Sequence, residues 1–176
     1  MSSPETDVRH GPSNRPLILA LIGAVLAAGL FCGLWLSARP TSTEEVDGAL
    51  AAEVPAARDT AREVLELLIN LDADNVDDAG ERVLELSTGN FREDYKELLP
   101  GLGPAFEEAG ASATGDILEG PHVTFTASDE ASAIARVAQT TTVDGTEREV
   151  GFTIRLTLVK VGEAWKADAF ELLGGL

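Results

Sequence analysis

His122, Arg155 and Asp168 in the C-terminal half, with the lone tyrosine Tyr95, are the residues whose types match acid–base chemistry. An imidazole, carboxylate or phenol aimed into an apolar pocket would serve as general acid or base. The stretch Asp72-Ala73-Asp74-Asn75-Val76-Asp77-Asp78 offers a second chemistry, since it imitates a calcium loop. It lacks the glycine at the sixth position and the bidentate glutamate later in step. Acids gathered before and inside the first turn of a helix are ordinary dipole and cap partners. No His or Cys pair stands at metal-ligand spacing, because His10 lies near the N-terminus, His122 is isolated and Cys32 is the single cysteine. Gly101-Leu102-Gly103 follows no strand, so it reads as a helix break rather than a dinucleotide fingerprint. The expectation is a protein without metal or cofactor.

Where these groups point is set by the extended half of the chain. Asp144-Gly145 is a two-residue hairpin signal, and Gly162-Glu163 suits the mirror-type turn with Gly first. Two-residue loops there put Val137 opposite Phe152, Ala135 opposite Ile154, Ala133 opposite Leu156, Leu158 opposite Ala167 and Lys160 opposite Trp165. A three-residue loop at Ser128-Asp129-Glu130 puts Ala127, Phe125 and Val123 opposite Ala131, Ala133 and Ala135. Opposed residues share a sheet face. One apolar face therefore collects these residues together with Val150, and ends on Trp165, Ala167 and Ala169. His122, Arg155 and Asp168 alternate onto the other face, away from any cavity, which predicts that the protein is not an enzyme. Trp165 is expected to cap the core with the Lys160 stem across its ring and the ammonium in water.

The helical half supplies the other layer. Ser42-Thr43-Glu44-Glu45 resembles a capping box that opens a juxtamembrane helix, kinked or restarted at Pro55. Ala57, Ala61, Val64, Leu65 and Leu68 then recur on one helical face. A second helix is predicted over 75–86 with Val76, Ala79, Val83 and Leu84 inward, stopping at Gly89. A third starts at Asn90-Phe91-Arg92-Glu93 and runs along Phe91, Tyr95, Leu98 and Leu99. It is predicted to break at Pro100-Gly101 and Gly103-Pro104, before Phe106 and Gly110. The fold class expected is α+β, with three helices on one face of a curved four-stranded antiparallel meander, an order similar to the nuclear transport factor 2-like (cystatin-like) fold. Tyr95, Phe106, Phe125, Phe152 and Trp165 are its candidate cavity or partner-contact residues. The alanine strand 131, 133, 135 either leaves volume among Phe125, Phe152, Phe106 and Trp165 or is filled by helix side chains.

Charge and hydropathy divide the 176 residues further. The net charge is −17; residues 1–40 carry +1, so residues 41–176 carry −18. Such a balance excludes phosphate-backbone binding, hence nucleic acid. Leu17 to Ala38 is an uncharged run of 22 residues, about 33 Å as a helix, which matches a bilayer. It is longer than a signal-peptide core and reads as an uncleaved anchor, with Trp35 at its outer interface. Arg9 and Arg15 precede the span, which places the N-terminus in the cytoplasm and the acidic domain outside. The organisation expected is a disordered cytoplasmic tail over 1–16, a transmembrane helix over 17–38, a juxtamembrane helix or linker over 39–55 and the domain over 56–173. The outer domain has no cysteine, so it folds on its hydrophobic core alone.

One span, a juxtamembrane helix, Leu71-Asp72-Ala73-Asp74, Ser87-Thr88-Gly89-Asn90-Phe91 with Tyr95, and the closing Leu156 to Lys166 around Gly162-Glu163-Ala164-Trp165 resemble the Mce-associated membrane proteins of actinobacteria. The similarity covers roughly residues 17–172 and lacks the aromatic stretch usual before Leu-Asp-Ala-Asp, where Glu66-Leu67-Leu68-Ile69-Asn70 stands. It implies a non-enzymatic, membrane-anchored accessory or stabilising subunit of an Mce-type lipid or sterol import complex, with Mce proteins as partners in the cell envelope. Two other readings stay open, a lipid-binding envelope module and an assembly factor of a secretion apparatus.

Overall fold

The computed structural model describes residues 48–175, with side chains from residue 50. The tail, the span and the helix start at Ser42 lie outside the described residues. Three helices precede the long strands: α1 Gly48–Ile69, α2 Val76–Leu86 and α3 Gly89–Ala109. The strands are β1 Leu71–Asp72, β2 Ala111–Ala127, β3 Glu130–Val143, β4 Thr146–Val161 and β5 Ala164–Gly175. They form one curled antiparallel sheet in sequence order, with five strands rather than four. The added strand is β1, whose Leu71 and Asp72 pair with Ala113 and Ser112. Two residues carry no period, so no pattern could announce it.

Helix α1 forms as its apolar spacing requires. Ala57, Ala61, Val64, Leu65 and Ile69 recur at three and four residues, and each is 4% exposed or less. The helix continues through Pro55, where no break occurs. Its inner stripe packs on Ala131, Ala133, Ala135, Ile154, Leu156, Leu158 and Ala167. Small alanines on β3 let the helix approach the sheet closely.

Helix α3 differs from the expectation more strongly. It starts at Gly89 after Thr88, not at Asn90, and it does not break at either proline. Tyr95, Leu102, Phe106 and Ala109 are buried at spacings of seven, four and three, so one inward stripe passes both prolines unbroken. A proline removes one helical hydrogen bond, and burial of large apolar side chains, each contributing about 1.5–3 kcal/mol, outweighs that loss. The helix ends at Gly110, whose positive φ of 52° closes the last turn through Phe106 and Glu107 carbonyls.

The β3–β4 and β4–β5 registers agree with the turn chemistry, including Val137 opposite Phe152 and Lys160 opposite Trp165. Two differences lie at bulges. At β2–β3 a two-residue turn and an irregularity between Phe125 and Ala127 put Phe125 opposite Ala131 and Val123 opposite Ala133. That is a two-residue slip from the expected pairing, and an even slip keeps the same face inward. On β5 an extra residue at Asp168 leaves Ala169 opposite Thr157, so Phe170 and Leu172 take the inward positions instead of Ala169. Strand β2 also begins well before Val123, because irregularities around Glu119 to His122 carry it past Gly120 and buried Pro121.

Candidate functional site

The inner face near the β2–β3 and β4–β5 turns brings Trp165 and Phe125 edge to face, with ring centroids 5.5 Å apart. Trp165 is 3% exposed, and a buried indole N–H needs an acceptor. Glu53, in the second turn of α1, supplies it. Its Oε2 accepts from Trp165 Nε1 at 3.0 Å, while its Oε1 accepts from Lys160 Nζ at 2.7 Å. Lys160 and Trp165 are cross-strand partners, so a single carboxylate ties α1 to both strands of the hairpin. The Lys160 ammonium is thus held by Glu53 rather than left in water. The hydrogen bond from Lys160 first, then that from Trp165, holds the Glu53 carboxyl below the usual carboxylate range. A carboxylate whose two oxygens are both engaged is a poor base and a good strut.

Glu53 was absent from the sequence-derived candidates because it precedes Pro55, in the stretch read as linker. One signal could have found it: it stands four residues before Ala57 and eight before Ala61, on the buried stripe of the helix.

Tyr95 and Phe106 lie elsewhere, in a second cluster with Leu71, Val76, Ala79, Val83, Leu102, Ala109 and Ala111. The Tyr95 hydroxyl is buried without a hydrogen-bond partner among the described residues. Burial pushes its pKa up to about 12, so the phenol stays protonated at neutral pH. Phe152 packs on the first cluster with Phe125. The five aromatics therefore divide between two clusters, and Ala131, Ala133 and Ala135 are covered by α1. A groove of about 520 Å³ lies instead on the outside, between α1 and α2, lined by Glu63, Glu66, Leu67, Asn70, Asn75, Asp78 and Ala79.

The polar candidates do not converge. His122 is exposed on β2, 3.6 Å from Glu119. Arg155 on β4 donates to Glu171 at 2.8 Å. Asp168 is on β5, separated from the strand of His122 by three strand spacings, roughly 14 Å. At the β5 bulge the Asp168 carboxylate lies against Gly89 at the start of α3, where a Cβ would overlap it. Desolvation there, with a smaller push from Glu130, raises the Asp168 pKa. In the acidic stretch, Asp72 Oδ1 accepts from the backbone of Asp74 and Asn75, both at 2.9 Å, and Asn75 Oδ1 accepts from Asp72 N at 3.0 Å. Those side chains build the loop that leads into α2.

Junction α2–α3 is equally occupied by structural bonds. Ser87, Arg92 and Lys166 donate to the carbonyls of Leu84, Leu84 and Glu85 at the end of α2, where cationic donors suit the helix dipole. Thr88 N donates to Ala167 O at 2.8 Å and fastens the junction to β5.

No protein-family model matches the chain, and no curated protein does either. Solved structures do. An IcmL-like type IV secretion system protein from Legionella pneumophila superposes with a TM-score of 0.56 at 11% identity, over 68% of this chain and 90% of that one. VirB8 of Agrobacterium tumefaciens gives 0.53 at 18% identity, over 69% and 90%. CagV, a VirB8 homologue of the type IV secretion system of Helicobacter pylori, gives 0.50 at 10% identity, over 65% and 94%. At these identities the likeness is one of fold, an α+β arrangement with a curled antiparallel sheet shared with nuclear transport factor 2-like neighbours.

Proposed function

We propose that this chain is a non-enzymatic, membrane-anchored assembly subunit of a multiprotein envelope complex, of the secretion-apparatus kind. The observation that carries the reading is the match in fold with three secretion-system proteins, each covered over 90% or more of its own length. The interior supports it. The sheet's inner face is packed by α1, the candidate acid–base groups are dispersed, and the polar side chains at the junctions hold structure. The apolar run 17–38 supplies the anchor in this reading.

A second reading, an accessory subunit of an Mce-type lipid import complex, is favoured by the placement of its motif residues. Leu71 to Asp74 forms the β1 edge and its loop, Ser87 to Phe91 forms the α2–α3 junction, and Trp165 anchors α1. Purification of the full chain in mild detergent, with mass spectrometry of what accompanies it, separates the two. Secretion-apparatus subunits are expected, and their membrane levels should fall when the chain is deleted. Lipid-import permease subunits in their place would favour the second reading. A chain recovered alone, with partner levels unchanged by deletion, would overturn both.

A further inference from the structure

Helix α1 has a defined direction along the sheet. Its second turn is bound to the β4–β5 hairpin through Glu53, Lys160 and Trp165. Arg62 donates to Gly120 O in the middle of β2. At its far end, Asn70 Oδ1 accepts from Gly115 N, and Gln139 Nε2 donates to Ile69 O at 3.1 Å. The helix therefore enters at the end of the domain that carries two turns, Ser128-Asp129 and Gly162-Glu163. Those turns are neighbours, since Lys160 N donates to Asp129 O at 2.8 Å. The turn at Asp144-Gly145 lies at the opposite end of β4, about 50 Å away along the strand at a rise of 3.3 Å per residue.

We infer that the Ser128-Asp129 and Gly162-Glu163 turns form the face of the domain turned toward the bilayer, and that the Glu53 clasp holds them there while the Asp144-Gly145 end projects outward. This rests on the anchored reading of residues 17–38. Residues 39–47 reach at most about 32 Å even when fully extended, less than the length of β4, and they join α1 at the two-turn end. Without the clasp, the first turns of α1 would serve as a hinge, because Pro55 removes a helical hydrogen bond just beyond them. With the clasp, the entering helix and the hairpin move as one body. The near end carries Asp129, Glu130 and Glu163 together with exposed Val161. Its carboxylates fit a zwitterionic headgroup layer and are repelled by an anionic one.

The test uses the full chain with Cys32→Ser and single cysteines at Ser128→Cys, Glu163→Cys or Thr146→Cys. Each carries a fluorophore and is reconstituted into phosphatidylcholine vesicles bearing a nitroxide on the headgroup. Given the separation along β4, quenching at positions 128 and 163 is expected to exceed that at 146 by at least about twofold. Adding Glu53→Gln should narrow that difference. A chain that does not float with the vesicles overturns the anchored reading itself. A chain that floats but is quenched equally at all three positions, or most at 146, overturns the orientation. A difference unchanged by Glu53→Gln overturns the role given to the clasp.

Discussion

The two clusters of the core make unlike use of polar groups. Under α1 the interior is largely apolar, and the polar groups at its rim have acceptors, Trp165 Nε1 in Glu53 and the buried Gln139 Nε2 in the Ile69 carbonyl. Between α2, α3 and the start of β2, the interior holds a phenol whose hydroxyl has no partner among the described residues. A satisfied polar group at a rim fixes how two elements meet, whereas an unsatisfied one inside costs stability and fixes nothing. The helix–sheet interface is thus the specified part of the molecule, and the α2–α3 side is the part with stability in reserve.

The largest effect is expected in the first cluster. Leu65→Ala, at a residue 1% exposed, should lower unfolding free energy by about 2–5 kcal/mol in urea titration. A loss well below that range would mean that α1 is not the lid of this core. Ala133→Leu tests whether the same interface is filled. Overpacking should cost about 1–3 kcal/mol, while a neutral or stabilising result would reveal free volume above the alanine strand. Gly89→Ala places a Cβ at a φ of +54° and against Asp168. A cost of about 1–2 kcal/mol is expected for the left-handed backbone, and Asp168→Ala in the same chain should recover only the part due to overlap.

In the second cluster the sign reverses. Tyr95→Phe removes the partnerless hydroxyl and should raise the thermal midpoint, by an amount corresponding to about 1 kcal/mol. Trp165→Phe strands the Glu53 oxygen and should lower it. If both moved the same way, the contrast between the clusters would fail. The smallest effect belongs to Glu53→Gln and is read from its pH dependence. The Glu53 carboxyl titrates below its unfolded value of 4.5. Its contribution is therefore complete above pH 4.5 and is lost as pH falls through the lower folded value. The variant should be less stable than the native chain at neutral pH, with the gap closing in acid. A gap that widened on acidification would contradict the clasp.

Much of the sheet was legible in the sequence because the β3–β4 and β4–β5 loops are two residues long and the side-chain period is two. Asp144-Gly145 and Gly162-Glu163 then determine every pairing out to the first bulge. The bulges at Phe125/Ala127 and Asp168 were not legible, since an extra residue in a strand leaves no composition signal. The inward turn of Phe170 and the contact between Asp168 and Gly89 were hidden with them. The unbroken course of helix α3 through Pro100 and Pro104 was not legible, because local propensity carries no account of the stripe from Tyr95 to Phe106 that burial rewards. The candidate site was read in part: the burial of Trp165 followed from its face, but its carboxylate partner did not.

The sequence by itself determined the layer order, the inner and outer faces of the sheet and the buried stripe of α1, all of which follow from local period and turn chemistry. It also separated the apolar segment 17–38 from a strongly acidic remainder. Only the tertiary structure decided that Glu53 meets Lys160 and Trp165, 107 and 112 residues away. It likewise decided that the five aromatics divide between two clusters and that α3 runs through its prolines. Each of these depends on which surfaces meet once the chain has closed, and the free energy of such a contact lies in burial and pairing between segments that no local pattern connects.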